Sequence, residues 1–285
     1  VSAVDLGDRM KMYEGVEAQR RLMPLLPVIA RLDGRNFHTF TRDLPRPYDL
    51  HLMQLMRELT ALLVRECNAR LGYTQSDEIT LVMYTDDPES QTYFDGRIQK
   101  MTSALAAFAS VHFNALLRDS ALAVKAGECP TFDCRVWNVP SLEEAANCVM
   151  WREWDATKNS ISMAAQSKFS HARLQGKNGK EMQEMLFQEH GINWSEYPAA
   201  FKRGTYVRRV TTSEPFTAEE IAALPEKHRA RTNPDLLVER SRVEVIELPP
   251  LASIINRSGA LFRGCAPVVS GPESVTVSMP PSRSA

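Results

Sequence analysis

Residues 29–38 read IARLDGRNFH and residues 73–84 read YTQSDEITLVMY, and each stretch sets an acid where strand-forming residues meet a turn. Asp33 closes the first apolar run and Asp77 opens the second. A carboxylate at a strand end is costly unless a cap, an ion pair or a metal offsets the cost. The segments around these acids come in an order that restricts the fold. LLPVIARLD (25–33) is a short apolar run and predicts a buried strand. The Pro-rich LPRPYD ends at Asp49, a predicted N-cap. From there to Gly72, Leu52, Leu55, Met56, Leu59, Leu62 and Leu63 recur at helical spacing, with Gly72 marking the end. GYTQSDEITLVMY predicts a hairpin turning at Gln75 and Ser76. RIQKMTSALAAFASVHFNALLRD (97–119) predicts a second helix with Ile98, Met101, Leu105, Phe108 and His112 on one face, and TFDCRVWNVP a strand closed by Pro140.

Strand, helix, two-strand hairpin, helix, strand is a βαββαβ order. It predicts an α+β fold: a mainly antiparallel sheet with helices on one face, both acids on neighbouring central strands at the same end. Residues 1–140 are the expected core. An extension over 141–265 completes the domain, with a capping box from Ser141 to Glu144 opening a helix that runs through WREWDATKNSISMAAQSKF. GKEMQEMLFQEHG is a further amphipathic helix closed by Gly191, and 201–250 mixes short strands with basic pairs. Residues 266–285 are rich in Ser and Pro and predict a tail with no core of its own.

Composition narrows the partners. Lys and Arg number 34 against 35 Asp and Glu, so no global field attracts nucleic acid and any such contact rests on local basic clusters. The five cysteines include no CxxC pair, and reduced thiols are the simpler reading beside a zinc site or disulfide at Cys129 and Cys134. No charged leader precedes an apolar core at the start, and no apolar run reaches the roughly 20 residues of a membrane helix. The expectation is a cytosolic protein.

If the hairpin pairs beside the first strand, Asp33 and Asp77 come close, and two nearby carboxylates repel unless a proton or cation intervenes. Mg²⁺ suits such a pair because it takes oxygen ligands, keeps waters and binds substrate phosphates. Gly34 permits a sharp turn and offers a carbonyl, while GRNFH supplies backbone N–H groups able to cradle a triphosphate. Two ions about 4 Å apart would clamp an in-line nucleotidyl transfer. The plainer alternative makes Asp33 a turn cap and Asp77-Glu78 a polar hairpin tip. Arg152 and Asp155 suit either an i,i+3 pair on a solvated helix or a functional role. Lys202-Arg203, Arg208-Arg209 and EKHRAR are the dense basic clusters, either solvated surface or phosphate-binding face. His112 reads as core, and Trp137, Trp151 and Trp154 as packing rather than stacking platforms.

RLDGRNFHTF, RPYD, YTQSDEITLV, FDCRVW, WREWD, RLQGK, EMLFQEHGINW and FKRGT occur here in one order. Together they resemble the tRNA(His) guanylyltransferase family, including its bacterial and archaeal guanylyltransferase-like members. The similarity runs from about Tyr13 to INRSGALF. It implies a polymerase-type palm that adds nucleotides in the 3′–5′ direction to a tRNA 5′ end. It implies two Mg²⁺ held by Asp33, Gly34 and Asp77, with the two acids catalytic. Nucleoside triphosphate, GTP or ATP among them, would be bound by Asp33, Gly34, Arg35, Asn36, Phe37, His38, Ser76 and Asp77. Arg46 stands where relatives carry Lys, keeping the charge with a different hydrogen-bond geometry. Arg152, Asn159, Lys202 and Arg203 are the implied tRNA contacts, and relatives suggest a homotetramer.

One departure separates branches of the family. Eukaryotic members carry His-Ile-Asn-Asn-Leu-Tyr-Asn after the WRxxD motif, whereas this chain has TKNSISM (157–163) and keeps only Asn159 of that polar set. The resemblance therefore favours templated repair of truncated tRNA 5′ ends over non-templated G addition to tRNA(His). Two rival readings remain: a palm-type nucleotidyl cyclase, and a tRNA-binding protein that has lost catalysis.

Overall fold

The structure, a computed structural model, describes residues 5–233 and 235–270. Ten α-helices lie among the described residues: α1 Leu6–Ala18, α2 Phe37–Phe40, α3 Leu50–Glu66, α4 Ile98–Arg118, α5 Leu142–Gln166, α6 His171–Leu174, α7 Gly179–His190, α8 Ala199–Arg203, α9 Ala218–Ala223 and α10 Arg257–Phe262. The strands are β1 Val28–Arg35, β2 Leu71–Gln75, β3 Glu78–Met83, β4 Thr131–Asn138, β5 Thr205–Pro215 and β6 Leu237–Ile246. They form one sheet in the order β4-β1-β3-β2-β5-β6, antiparallel throughout. The expected βαββαβ order is present in β1, α3, β2, β3, α4 and β4.

Strand alternation divides the sheet between two cores. Val28, Ala30 and Leu32 of β1 join Leu59 and Leu63 of α3 and Met101, Leu105 and Phe113 of α4 in one buried cluster. Ile29, Leu71 and Val82 point the other way, into a cluster with Ala145 and Val149 of α5 and Leu261 of α10. Helices on one face therefore describe the first 140 residues, and the extension supplies the cover for the opposite face. A third, smaller cluster of Ala164, Ala165, Phe169, Leu174 and Leu186 locks α7 onto the end of α5.

Helix ends follow local chemistry. The Asp49 carboxylate accepts from the Leu52 N–H at 2.7 Å and caps α3. Ser141 caps α5 by accepting from the Glu144 N–H at 3.2 Å, but Glu144 bonds Asn147 instead of reaching back, so half of the expected capping box forms. Asn178 and Glu181 form a complete box on α7, and Gly191 ends it at φ 64°.

Four sequence expectations change. Gly72 does not end α3, which stops at Glu66; it lies inside β2, where a Cβ would fall 2.5 Å from Thr60 Cγ2. Its role is close helix–strand approach. The hairpin turns at Ser76 and Asp77 rather than Gln75 and Ser76, since Gln75 pairs with Glu78 across it and Ser76 takes the positive φ of 50°. The core face of α4 is Met101, Leu105, Ala109, Phe113 and Leu117, with Phe108 and His112 stacked at its edge. The stretch 201–250 holds one long hairpin, β5 and β6, continuing the sheet.

The expected tail also begins later than position 266. Ile255 N–H donates to Val268 O at 2.8 Å, Ser270 N–H to Ser253 O at 2.9 Å, and Val268 N–H to Asn256 Oδ1 at 2.8 Å. The remainder of the expected tail, 271–285, lies outside the described residues. A chain ending at 265 should melt about 2–4 °C below one ending at 270, as loss of these bonds costs about 1 kcal/mol. Equal melting temperatures in a calorimetric comparison would show that 266–270 contribute nothing.

Candidate active site

The two motif acids meet at one end of the sheet. Asp33 sits near the end of β1, directly opposite Glu78 on β3 and Asp133 on β4. Asp77 occupies the hairpin turn immediately before β3, and the Gly34 N–H donates to its carbonyl at 3.0 Å. This bond ties the DG turn to the SD turn. Burial pushes the Asp77 carboxyl up, and the Asp33 charge adds to the rise. Such mutual repulsion is what a cation between the two would relieve.

Gly34 is required by its neighbour. A Cβ there would lie 2.3 Å from the Phe37 ring, which folds back under the turn. Phe37 belongs to an aromatic knot with Phe40, Phe113 and Phe132, ring centroids 5.2–5.4 Å from it. Asn36 adopts φ 60°, the left-handed conformation that Asn tolerates better than most residues, and starts the one-turn α2. Phe37 is thus buried, while Arg35, Asn36 and His38 stay exposed around the turn. The Phe37 and His38 N–H groups lie ahead of the first helical acceptor, so α2 itself leaves them free to bond an anion.

Next to the SD turn lies a cleft of about 100 Å³, walled by residues from the 41–53 stretch, by Gln75 and Ser76, by α5 and by α8. Arg46, Ser76 and Asn159, far apart in sequence, all line it, as do Ser160, Met163 and Phe201. Tyr48 stacks on Phe201 with centroids 4.6 Å apart and stiffens one wall. The TKNSISM segment therefore faces this cleft through Asn159, Ser160 and Met163.

Three of the expected tRNA contacts have partners within the chain. Arg152 is buried, donating to both Glu78 oxygens at 2.6 and 2.7 Å and to Asp155 at 2.6 Å. The i,i+3 pair with Asp155 exists, but inside the protein rather than on a solvated face. Arg203 Nε stands 3.4 Å from the buried Glu153 carboxylate, close enough for attraction without an aligned hydrogen bond. Lys202 bonds the Ser195 carbonyl and lies over the Trp194 ring. Glu78 and Asp133 were missed by sequence reasoning. Strand parity was the available signal for both, because it puts them on the same sheet face as Asp33.

Glu153 provides a measurable pH signature. Burial raises its carboxyl to about 7, opposed by the Leu251 N–H and by Arg203. The folded value lies above the unfolded one, so the protein binds the extra proton between them. The stabilisation is complete below about pH 4.5 and is lost as pH rises through about 7. Between pH 5.5 and 8.5 unfolding free energy should fall by on the order of 2 kcal/mol from this group, and Glu153→Gln should flatten that slope. An unaltered slope in the variant would assign the pH dependence to other groups. Gly34→Ala should cost about 1–3 kcal/mol by overpacking against Phe37, and Phe37→Leu should recover part of it. A Gly34→Ala protein with an unchanged melting curve would contradict the packing described.

Known proteins bear on this arrangement. Residues 7–140 match the family model described as tRNAHis guanylyltransferase, and residues 147–247 match the one described as Thg1 C terminal domain. An uncharacterized protein, R259, of Acanthamoeba polyphaga mimivirus is 30% identical over 72% of this chain and 77% of its own length. A solved bacterial tRNA(His) guanylyltransferase (Thg1)-like protein in complex with ATP superposes with a TM-score of 0.71 at 35% identity, covering 87% of this chain and 94% of that one. Its counterpart in complex with GTP gives a TM-score of 0.65 at 33% identity with the same coverage. With the βαββαβ order, the paired acids and the adjoining cleft in place, this chain belongs to the tRNA(His) guanylyltransferase family.

Proposed function

We propose that this chain is a 3′–5′ nucleotidyltransferase that restores missing nucleotides at tRNA 5′ ends, using the opposing strand as template. The observation that carries the reading is the meeting of Asp33 and Asp77 at one sheet end, tied by the Gly34–Asp77 bond, beside a cleft shared by Arg46, Ser76 and Asn159. In the reaction, the 3′-hydroxyl of an incoming nucleotide attacks the activated 5′ phosphorus of the tRNA. Pyrophosphate leaves from a 5′ triphosphate, or AMP from an adenylylated 5′ end. The solved relatives in complex with ATP and with GTP support both nucleotide roles.

The residues at the strand ends fit Mg²⁺. Among the described residues no group of three or more His, Cys, Asp or Glu forms a metal cage. A pair of carboxylates instead leaves positions for water and phosphate oxygens, as Mg²⁺ prefers. Asp33, Asp77 and the Gly34 carbonyl would hold the ions, two of them by family resemblance. Bound there, Mg²⁺ would neutralise phosphate charge and favour ionisation of the attacking hydroxyl. The chain's own contribution is placement. The rigid DG turn fixes Asp33 against the hairpin, the 35–38 segment presents N–H groups to a triphosphate, and Arg46 and Ser76 reach the nucleotide from two sides.

The cleft wall favours templated addition. Its α5 side presents Ala156, Asn159, Ser160 and Met163, and the buried Ser160 hydroxyl donates to Thr157 O, which leaves Asn159 as the polar group on that side to meet a base. Selectivity then falls to pairing with the acceptor strand. Asn159 remains the α5 residue best placed for tRNA, whereas Arg152, Lys202 and Arg203 do not line the cleft. A homo-oligomer, expected by resemblance, is in keeping with α1, which buries no residue and exposes Leu6, Met10, Tyr13 and Val16. No described helix is long and apolar enough to cross a membrane, and the five cysteines are free, which suits the reduced cytosol we infer for it.

Asp33→Ala and Asp77→Ala should each lower nucleotide addition at least about 100-fold while keeping the fold, and near-normal turnover in saturating Mg²⁺ would remove the carboxylate assignment. A set of 5′-truncated tRNAs differing only in the unpaired opposing base, each offered all four nucleotides, tests template use. Addition should follow Watson–Crick pairing in every case. Addition of G whatever the opposing base would restore the tRNA(His)-specific reading, and a cyclic nucleotide formed without tRNA would replace both with a cyclase.

A further inference from the structure

Glu78 poses a problem for a centre built on two carboxylates. It is 7% exposed, follows Asp77 directly, and lies across the β1–β3 ladder from Asp33 on the same sheet face. A third anion there competes for any cation meant for Asp33 and Asp77. The structure answers with a guanidinium. Arg152 comes up from α5, donates Nε to Oε1 at 2.6 Å and Nη2 to Oε2 at 2.7 Å, and so occupies both carboxylate oxygens in the fork geometry that suits Arg alone. Its remaining arm donates to Asp155 at 2.6 Å, one helical turn along α5, which fixes the rotamer. The Trp151 ring lies under the guanidinium at 4.5 Å and under that of Arg31 at 5.6 Å. Two guanidinium groups thus lie over one indole, and Arg152 is the one that bonds Glu78.

Resting on the nucleotidyltransferase reading above, we propose that Arg152 is a positioning residue: it withholds Glu78 from the metal end, so that Asp33 and Asp77 alone set where the cations bind. The pair is not explained by stability. Breaking a buried ion pair is costly, but replacing it with neutral groups is commonly neutral or stabilising. A structure needing only a packed α5–β3 contact has cheaper options than a bidentate ion pair beside its acids. Arg152 is spent inward on Glu78 and Asp155, so the WRxxD motif is a brace under the strand end rather than a tRNA contact.

The test uses the full chain, with Mn²⁺ as an electron-paramagnetic-resonance probe in the absence of substrate, alongside nucleotide addition to truncated tRNA. Arg152→Gln frees Glu78 as an extra ligand. Mn²⁺ should then bind as tightly as in the wild type or up to about 10-fold tighter, while kcat falls at least 10-fold and the nucleotide KM shifts less than threefold. Arg152→Lys, which keeps the charge but loses the fork, should fall between. In the double variant Arg152→Gln with Glu78→Gln, the two amides can bond each other with no charge to restrain, so Mn²⁺ affinity should return to the wild-type value and kcat should recover at least about fivefold over the single variant. The double variant and Arg152→Lys also decide the matter if Arg152→Gln fails to fold. Three results would overturn the proposal: Arg152→Gln with full kcat, variants whose Mn²⁺ affinity drops in step with their melting temperature, or a double variant no better than the single one. A wild-type chain that binds no Mn²⁺ through Asp33 and Asp77 would instead bring down the parent reading.

Discussion

Antiparallel pairing of β1 with β3 is the constraint on which the rest of the molecule depends. It runs from Val28 opposite Met83 to Asp33 opposite Glu78, so one strand's last residues stand beside the other's first. Two turns that are 43 residues apart in the chain, at Gly34 and at Asp77, are then joined by a single backbone hydrogen bond. Asp33 and Glu78 are placed opposite each other by this register. A slip of one residue would send Asp33 and Glu78 into the α3–α4 core and lift Leu32 and Ile79 into the site. The apolar alternation of both strands forbids the slip, and in that sense the hydrophobic core positions the acids.

The two helical layers divide the remaining tasks. On one face α3 and α4 supply bulk: Leu59, Leu63, Met101, Leu105 and Phe113 are completely buried and contact the strands without polar groups. The aromatic knot reaches from that core to the DG turn through Phe37, so turn geometry is backed by the best-packed part of the protein. On the other face α5 supplies chemistry. Over one stretch it carries Arg152 to Glu78, Glu153 to Leu251 and Arg203, and Asn159 and Ser160 to the cleft. The buried Glu78, Arg152 and Glu153 all lie on this side, where α5 closes over the end of the sheet.

Much of this was legible in the sequence. Asp33 and Asp77 stand out because each interrupts a strand-forming run at a turn dipeptide, and the order of runs gives the βαββαβ core. The Asp49 cap, the Ser141 cap and Gly191 were legible because capping uses residue types at fixed offsets, whereas the Asn178–Glu181 box on α7 was not read from the chain. What was not legible depends on tertiary partners. Gly72 reads as a helix end from the chain alone, and only the approach of Thr60 and Val64 shows why β2 needs it. Arg152 followed by Asp155 reads as a solvated pair, since nothing local announces a buried glutamate 74 residues away. The β5–β6 hairpin reads as short strands because its outer half, with Glu214, Glu239 and Arg240, is partly solvated and lacks alternation. Glu78 was hidden behind Asp77, and parity along β3 separates the two.

The strand-end geometry and the Arg152–Glu78 pair are the basis for the central proposal, that cations required for nucleotide addition would gather at Asp33 and Asp77. Anomalous diffraction from crystals soaked with Mn²⁺ and a non-hydrolysable nucleoside triphosphate tests it directly. The account predicts manganese peaks in contact with the carboxylates of Asp33 and Asp77, with the triphosphate against the 35–38 turn and Glu78 still bound to Arg152. Manganese on Glu78, or a triphosphate seated away from that turn with no metal at the two acids, would contradict it.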